Sequence, residues 1–341
     1  MVDVKTYECN SCGGPIQFNP ELQNLKCDYC GHTTDFDPGE VEIKTYSLED
    51  GIEQCDTDWR QETRVVHCDS CGADTVLEGA QKAQLCPFCD SSHVTNISND
   101  PGIKPELVIP FKLNDQEAKG YFQRWIKKKF FAQGNAKKSK RIDNLRGVYV
   151  PYWLFDVDTS TAYRGSRGIK HYHEEETTIQ WRDVSGVYDH NFRDFPICGS
   201  TQVENLNLSE DRLIFDYQGL KAYDPGYLAG FVAERYERDF ESSWQRAKKK
   251  MDSLISMGVR KQIGGDEQRI YEMNTGYSNP RYKHVLCPIW ISVFKYKGKE
   301  YPFIVNGQTG ETEGKYPLSI PKVAAVIAAG AAALGILYSL I

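Results

Sequence analysis

The chain has 341 residues, 40% apolar, 12% aromatic and 26% charged, with a net charge of -6. This composition excludes a disordered or low-complexity protein and allows two or three domains with a sizeable core. The charge is uneven: residues 1–100 hold 6 Lys+Arg and 19 Asp+Glu, net -13, and the remainder hold 35 and 28, net +7.

The opening "MVDVKTYECN" has no basic n-region and no apolar h-region, so no secretion signal is expected there. Eight of the eleven cysteines then fall as four CxxC pairs within ninety residues. Cys9-x2-Cys12 is followed after fourteen residues by Cys27-x2-Cys30. Cys68-x2-Cys71 is followed after fourteen residues by Cys86-x2-Cys89, at a constant offset of fifty-nine. Paired cysteines in a chain without a secretion signal read as thiolate ligands in a reducing compartment, not as disulfides. A CxxC turn puts two sulfurs on one side of a tetrahedral ion, and a second turn on a facing hairpin completes the set. The reading is therefore two structural Zn2+ ions, held by Cys9, Cys12, Cys27 and Cys30 and by Cys68, Cys71, Cys86 and Cys89. Four cysteines close a site that catalytic zinc would leave open. Gly13 and Gly72 suit the tight turn under each metal. The expected boundaries are a ribbon at 1–36, a linker at 37–63, a second ribbon at 64–96 and a linker at 97–106.

From 107 to 318 the pattern predicts an α+β body. Asn114 and Glu117 form a capping-box pattern, and Ala118, Tyr121, Phe122, Trp125, Ile126 and Phe130 then recur at helical spacing. Phe240, Trp244, Ala247, Met251, Leu254 and Ile255 do the same later. Both stripes read as core faces. Each helix precedes a β passage carrying Pro-x-Trp, at Pro151/Trp153 and Pro288/Trp290, which suggests a duplicated unit over 107–165 and 225–310.

Between these signals lies a basic stretch: Arg124, Lys127, Lys128, Lys129, Lys137, Lys138, Lys140 and Arg141, with Arg146 just beyond. It reads as a solvated helix end, an anionic-lipid patch, a docking patch for the acidic ribbon region of this chain or of a partner, or a nucleic-acid patch. "HYHEEE" at 171–176 reads as an exposed hairpin despite His171 and His173. Cys55, Cys198 and Cys287 receive no role, and no catalytic arrangement stands out, so no enzyme is expected.

Residues 322–341 close the chain, and 323–341 hold no charged side chain. Nineteen helical residues reach about 28 Å, near the thickness of a bilayer core. The segment reads as a single transmembrane helix. Lys315 and Lys322 before it would place the N-terminal bulk in the cytoplasm. Ala325, Ala329 and Ala333 offer a small-residue face to another membrane helix.

Residues 1–95 resemble zinc ribbons of the transcription factor IIB type and the zinc-binding segments of the primosomal replication-restart helicase. The whole layout, with "VPYW" and "NGQTG" turns, is similar to a family of bacterial membrane-anchored double zinc-ribbon proteins. That resemblance implies an adaptor or scaffold of membrane-stress machinery, with flotillin-like (SPFH) and phage-shock-protein-A-like partners. The alternative is a nucleic-acid-binding factor of replication or transcription, but a ribbon region at -13 would repel phosphate.

Overall fold

The computed structural model describes residues 8–36, 43–48, 63–78, 85–89, 91–92, 94–98, 103–134, 142, 145–172, 176–206, 208 and 212–339. β1 (Ile16–Asn19), β2 (Asn24–Cys27) and β3 (Thr33–Thr34) make a small antiparallel sheet. β4 (Tyr46–Ser47), β5 (Thr63–Cys68), β6 (Asp74–Glu78) and β7 (Val94–Ser98) follow. The body then runs β8 (Leu107–Val108), α1 (Asp115–Lys128), β9 (Arg146–Tyr172) and β10 (Thr177–Cys198). A short α2 (Gln202–Asn205), β11 (Lys221–Ala222) and β12 (Val232–Glu234) lead to α3 (Phe240–Ile263). β13 (Glu267–Tyr296), β14 (Lys299–Asn306), β15 (Thr312–Gly314) and α4 (Ile320–Ser339) complete it.

The α+β expectation is corrected. Among the described residues strands take 45% and helix 24%, and β4 to β15 join one twelve-stranded mixed sheet. The Pro-x-Trp of each expected β passage lies in a strand far longer than the sequence suggests, of 27 and 30 residues, β9 and β13. Sequence pattern hides this because each strand changes character along its length. In β9, residues 148–155 are buried on both faces, and from 156 to 165 buried and more open positions alternate. The fully buried half and the half with one face wet carry different patterns, so sequence alone does not show them as one continuous strand.

β9 and β13 pair antiparallel from Arg146↔Ile291 to Gly168↔Glu267. Outside them lie β10 against β9 and β14 against β13. β8, which precedes α1, pairs parallel with β13, and β12, which precedes α3, pairs parallel with β9. The order strand, helix, long strand, returning strand thus occurs twice. Each short leading strand is inserted beside the other unit's long strand, so the halves are interlocked.

Asn114 caps α1 through its side chain, which accepts from Glu117 N at 2.9 Å, while Asn114 N donates to Glu117 Oε2 at 2.9 Å. Ala118, Phe122 and Ile126 face the core, but Phe130 lies beyond the helix end and is exposed. Asp239 caps α3, accepting from Ser242 N at 2.7 Å. Its buried stripe runs on through Val259 to Ile263, while Leu254, expected on that stripe, faces solvent.

The transmembrane expectation is also overturned: among the described residues, no helix is long and apolar enough to cross a membrane. α4 opens on Ile-Pro-Lys, and its start is tied to the body rather than free as a stalk. Ser319 N donates to Phe131 O at 2.8 Å, Gln133 N to Pro317 O at 3.0 Å and Lys322 Nζ to Phe130 O at 3.0 Å. Leu340 and Ile341, the end of the expected span, lie outside the described residues. Much of the rest is alanine and glycine, which bring little transfer energy. The single-pass placement at a cell membrane, with its cytoplasmic orientation, falls with that helix.

Candidate metal centres

Each CxxC pair sits on a tight backbone knuckle. In the first cluster Cys9 N donates to Gly14 O at 2.7 Å and Gly13 N to Cys9 O at 2.7 Å. Opposite, Cys27 N donates to His32 O at 2.9 Å and Gly31 N to Cys27 O at 2.9 Å. The second cluster repeats the form, with Cys68 N to Ala73 O at 3.0 Å, Gly72 N to Cys68 O at 2.8 Å and Cys86 N to Ser91 O at 2.8 Å. Gly13, Gly31 and Gly72 take φ of 71°, 74° and 78°. A side chain would be strained there, and Gly31 was not singled out in the sequence.

The knuckles bring the sulfurs together. Within each cluster all four Sγ atoms lie within 4.8 Å of one another. Cys9 is 3.5 Å from Cys30 and Cys12 3.6 Å from Cys27. Cys68 is 3.6 Å from Cys89 and Cys71 3.6 Å from Cys86. A tetrahedral zinc at about 2.3 Å from each sulfur separates sulfurs by about 3.8 Å, so the donor sets fit. All eight thiols are free rather than disulfide-bonded. In the second cluster Cys86 is held down at about 5 by the hydrogen bond from Cys71, whose own thiol is pushed up by the same contact and by burial. Four thiols this close cannot all ionise without a cation between them. Zinc would supply that charge and lock the hairpins together. The two clusters fit double zinc ribbons.

The ribbons are fixed to the body differently. Ribbon 1 sits by side chains: Phe18 is buried against Phe36 and Tyr227, with ring centroids 6.0 and 5.2 Å away, and Phe18 N donates to Ala229 O at 2.9 Å. Ribbon 2 joins by strand pairing: β6 pairs with β12 at Val76↔Ala233 and Thr75↔Glu234, and β12 pairs with β9. Cys68, Cys86 and Phe88 share a core cluster with Leu107, Val150 and Ile289.

Beside this junction lies Glu234, fully buried, its carboxyl pushed well above the usual range by burial and then by the charge of Glu237. Ser200 Oγ donates to Glu234 Oε1. Nothing in "VAERYER" distinguishes this glutamate from surface charge. Lys283 is a second group invisible in sequence, 3.2 Å from Asp156 and bonded to Asp194. His284 is buried among Tyr46, Trp153 and Tyr282, and burial lowers it to about 3.

Of the basic stretch, Arg124, Lys127 and Lys128 lie on α1 and Lys129 ends it. Lys137, Lys138, Lys140 and Arg141 lie outside the described residues. Arg124 covers Tyr121 at 4.2 Å and Lys129 covers Trp125 at 4.8 Å. Lys322 joins them from α4, 5.1 Å from the Phe130 ring. Arg146 is directed elsewhere, donating to Leu85 O in ribbon 2 at 2.7 Å. His171 lies at the exposed end of β9, and His173 is outside the described residues. Cys198 and Cys287 are buried in the sheet, and Cys55 is outside the described residues.

The chain is 27% identical over 333 residues to an uncharacterized protein, YdjG, of Bacillus subtilis (strain 168), covering 94% of this chain and 93% of that one. No family model matches. No solved structure matches.

Proposed function

We propose that this protein is a non-catalytic adaptor whose zinc-closed ribbons form a protein-binding head. The observation that carries the reading is the pair of closed all-cysteine clusters, one on its own three-stranded sheet and one built into the twelve-stranded sheet. Such sites stabilise a shape and leave no coordination position for a substrate. The acidic balance of residues 1–100 supports a protein over a phosphate backbone as partner. Flotillin-like and phage-shock-protein-A-like proteins, suggested by the resemblance, are the first purified partners to try.

The test is a salt titration of DNA and RNA binding by the zinc-loaded chain. The adaptor reading expects no binding tighter than about 10 μM at 150 mM salt, within the ordinary non-specific range. Submicromolar binding that weakens steeply with salt, and is lost on charge reversal at Lys127 and Lys128, would instead establish the nucleic-acid reading.

A further inference from the structure

The same four thiols, at the same spacing, meet solvent differently in the two ribbons. The first cysteine of every CxxC pair is buried: Cys9, Cys27, Cys68 and Cys86. The second cysteine separates the clusters. Cys12 and Cys30 are exposed, whereas Cys71 and Cys89 are half-buried. The packing beneath them differs in the same direction. Cys9 and Cys27 share a small cluster with Ile16 and Leu25. Cys71 and Cys89 pack against the core that holds Val150 and Ile289. The knuckle that carries Cys30 is open as well, since Tyr29 beside it is exposed.

Freedom to move follows the same division. In ribbon 1 the sulfurs face each other across the knuckles, Cys9 with Cys30 at 3.5 Å and Cys12 with Cys27 at 3.6 Å. Joining either pair brings the sulfurs to about 2.05 Å, so a knuckle has to shift. Ribbon 1 can take that shift within β1 to β3, a separate sheet joined to the body by no strand ladder among the described residues. In ribbon 2 the same shift would pull on β5 and β6, and through β12 on β9.

We propose that ribbon 1 is an oxidation site, at which a peroxide converts Cys9, Cys12, Cys27 and Cys30 into two disulfides and frees the metal, while ribbon 2 stays reduced and loaded. An exposed thiolate, Cys12 or Cys30, attacks one peroxide oxygen. The O–O bond breaks, leaving a sulfenic acid and a hydroxide. The facing thiolate, Cys27 or Cys9, attacks the sulfenic sulfur, the S–S bond forms and a second hydroxide leaves. Each disulfide thus takes two electrons from sulfur and reduces one peroxide to two hydroxides, which protons from solvent convert to water. Disulfide sulfur carries no charge to hold a cation, so two peroxides empty the site. Through β1 the shift reaches Phe18, whose N–H donates to Ala229 O at 2.9 Å, and loosens the seat of ribbon 1 on the body. Thiol reductant and zinc reverse both bonds. The reaction requires zinc in ribbon 1 and takes place whether or not the head binds a protein partner.

The test treats the full, zinc-loaded chain with hydrogen peroxide, follows zinc release with a chromogenic chelator and reads thiol state by peptide mass mapping. One of two zinc ions should leave about tenfold faster than the other, because susceptibility follows exposure. Mapping after that first release should find Cys9, Cys12, Cys27 and Cys30 in disulfides, with Cys68, Cys71, Cys86 and Cys89 still reduced. The Phe18 amide should then exchange faster, and dithiothreitol with zinc should restore its protection. Cys12→Ser should abolish the fast phase and keep the slow one. Equal release rates in the wild-type chain, earlier oxidation of the ribbon 2 cysteines, or sulfinic acids in place of disulfides at Cys12 and Cys30 would each overturn the proposal. A fast phase that survives Cys12→Ser, or a wild-type chain that loads zinc only at ribbon 2, overturns it as well.

Discussion

The two ribbons share ligand spacing and knuckle geometry, yet they stand in different relations to the body. Ribbon 1 has its own three-stranded sheet and rests on the body through Phe18 and Phe36 against Tyr227 and through Gln23 Nε2, which donates to Phe111 O. Ribbon 2 is continuous with the large sheet through β6 and β12. Exposure follows the same division: Cys12 and Cys30 are exposed, whereas Cys71 and Cys89 are half-buried. The same local chemistry thus serves as an appended module in one place and as part of the core in the other. Cooperativity should follow the hydrogen-bonded ladder and not the metal count.

The strongest test of that difference is loss of one metal at a time. Cys86→Ser should expose the amides of β12 and the adjoining part of β9 to hydrogen exchange and cost several kcal/mol, because metal binding is folding free energy for a small ribbon. Cys12→Ser should unprotect only β1 to β3. Equal loss of protection in the body from both variants would break the comparison. Next, Phe18→Ala should cost about 3–4 kcal/mol of docking energy and still leave two zinc ions per chain by metal analysis. A drop to one ion would mean that ribbon 1 needs the body in order to fold.

Smaller effects sharpen the picture. Asn114 caps α1 and also donates through Nδ2 to Glu21 of ribbon 1. Asn114→Ala should cost about 1 kcal/mol in urea unfolding, with faster exchange confined to the first turn of α1 and the ribbon 1 loop. Glu234→Gln should be the one gain. Burial raises the carboxyl's pKa in the fold, so the unfolded chain releases its proton first as pH rises above about 4.5. Stability from this group is complete below that pH and declines as pH rises toward the folded value. The amide does not ionise, so Glu234→Gln should match wild type at pH 4 and be more stable by about 1 kcal/mol at pH 7. A loss at pH 7 would show that the carboxylate is stabilised at the ribbon 2 junction.

The metal ligands were legible because the constraint is local. Four CxxC turns, three of them followed by glycine in the left-handed position, carry their geometry within a few residues, and they repeat at an offset of fifty-nine. The cap of α1 and the apolar stripes of α1 and α3 were legible for the same reason, being short-range signals, whereas the Asp239 cap of α3 was not read. The long strands were not. Thr159, Thr161 and Ser166 are buried within β9, where cross-strand neighbours cover them. No local pattern tells such residues from those of a polar loop.

The tail was misjudged through the opposite error. A charge-free composition was taken for a spanning helix, although Lys322 is bonded to Phe130 O and the described helix does not meet the length and apolarity required. By itself the sequence determined the uneven charge, which is composition, and two four-cysteine clusters and two amphipathic helices, one with its cap, because each of these depends on spacing within a turn or hairpin. Only the tertiary structure decided that β9 and β13 interlock two repeated units, and that one ribbon is stitched into their sheet while the other is seated on it. Those outcomes depend on pairings across more than a hundred residues, where burial by a distant strand outweighs the preference of any local segment.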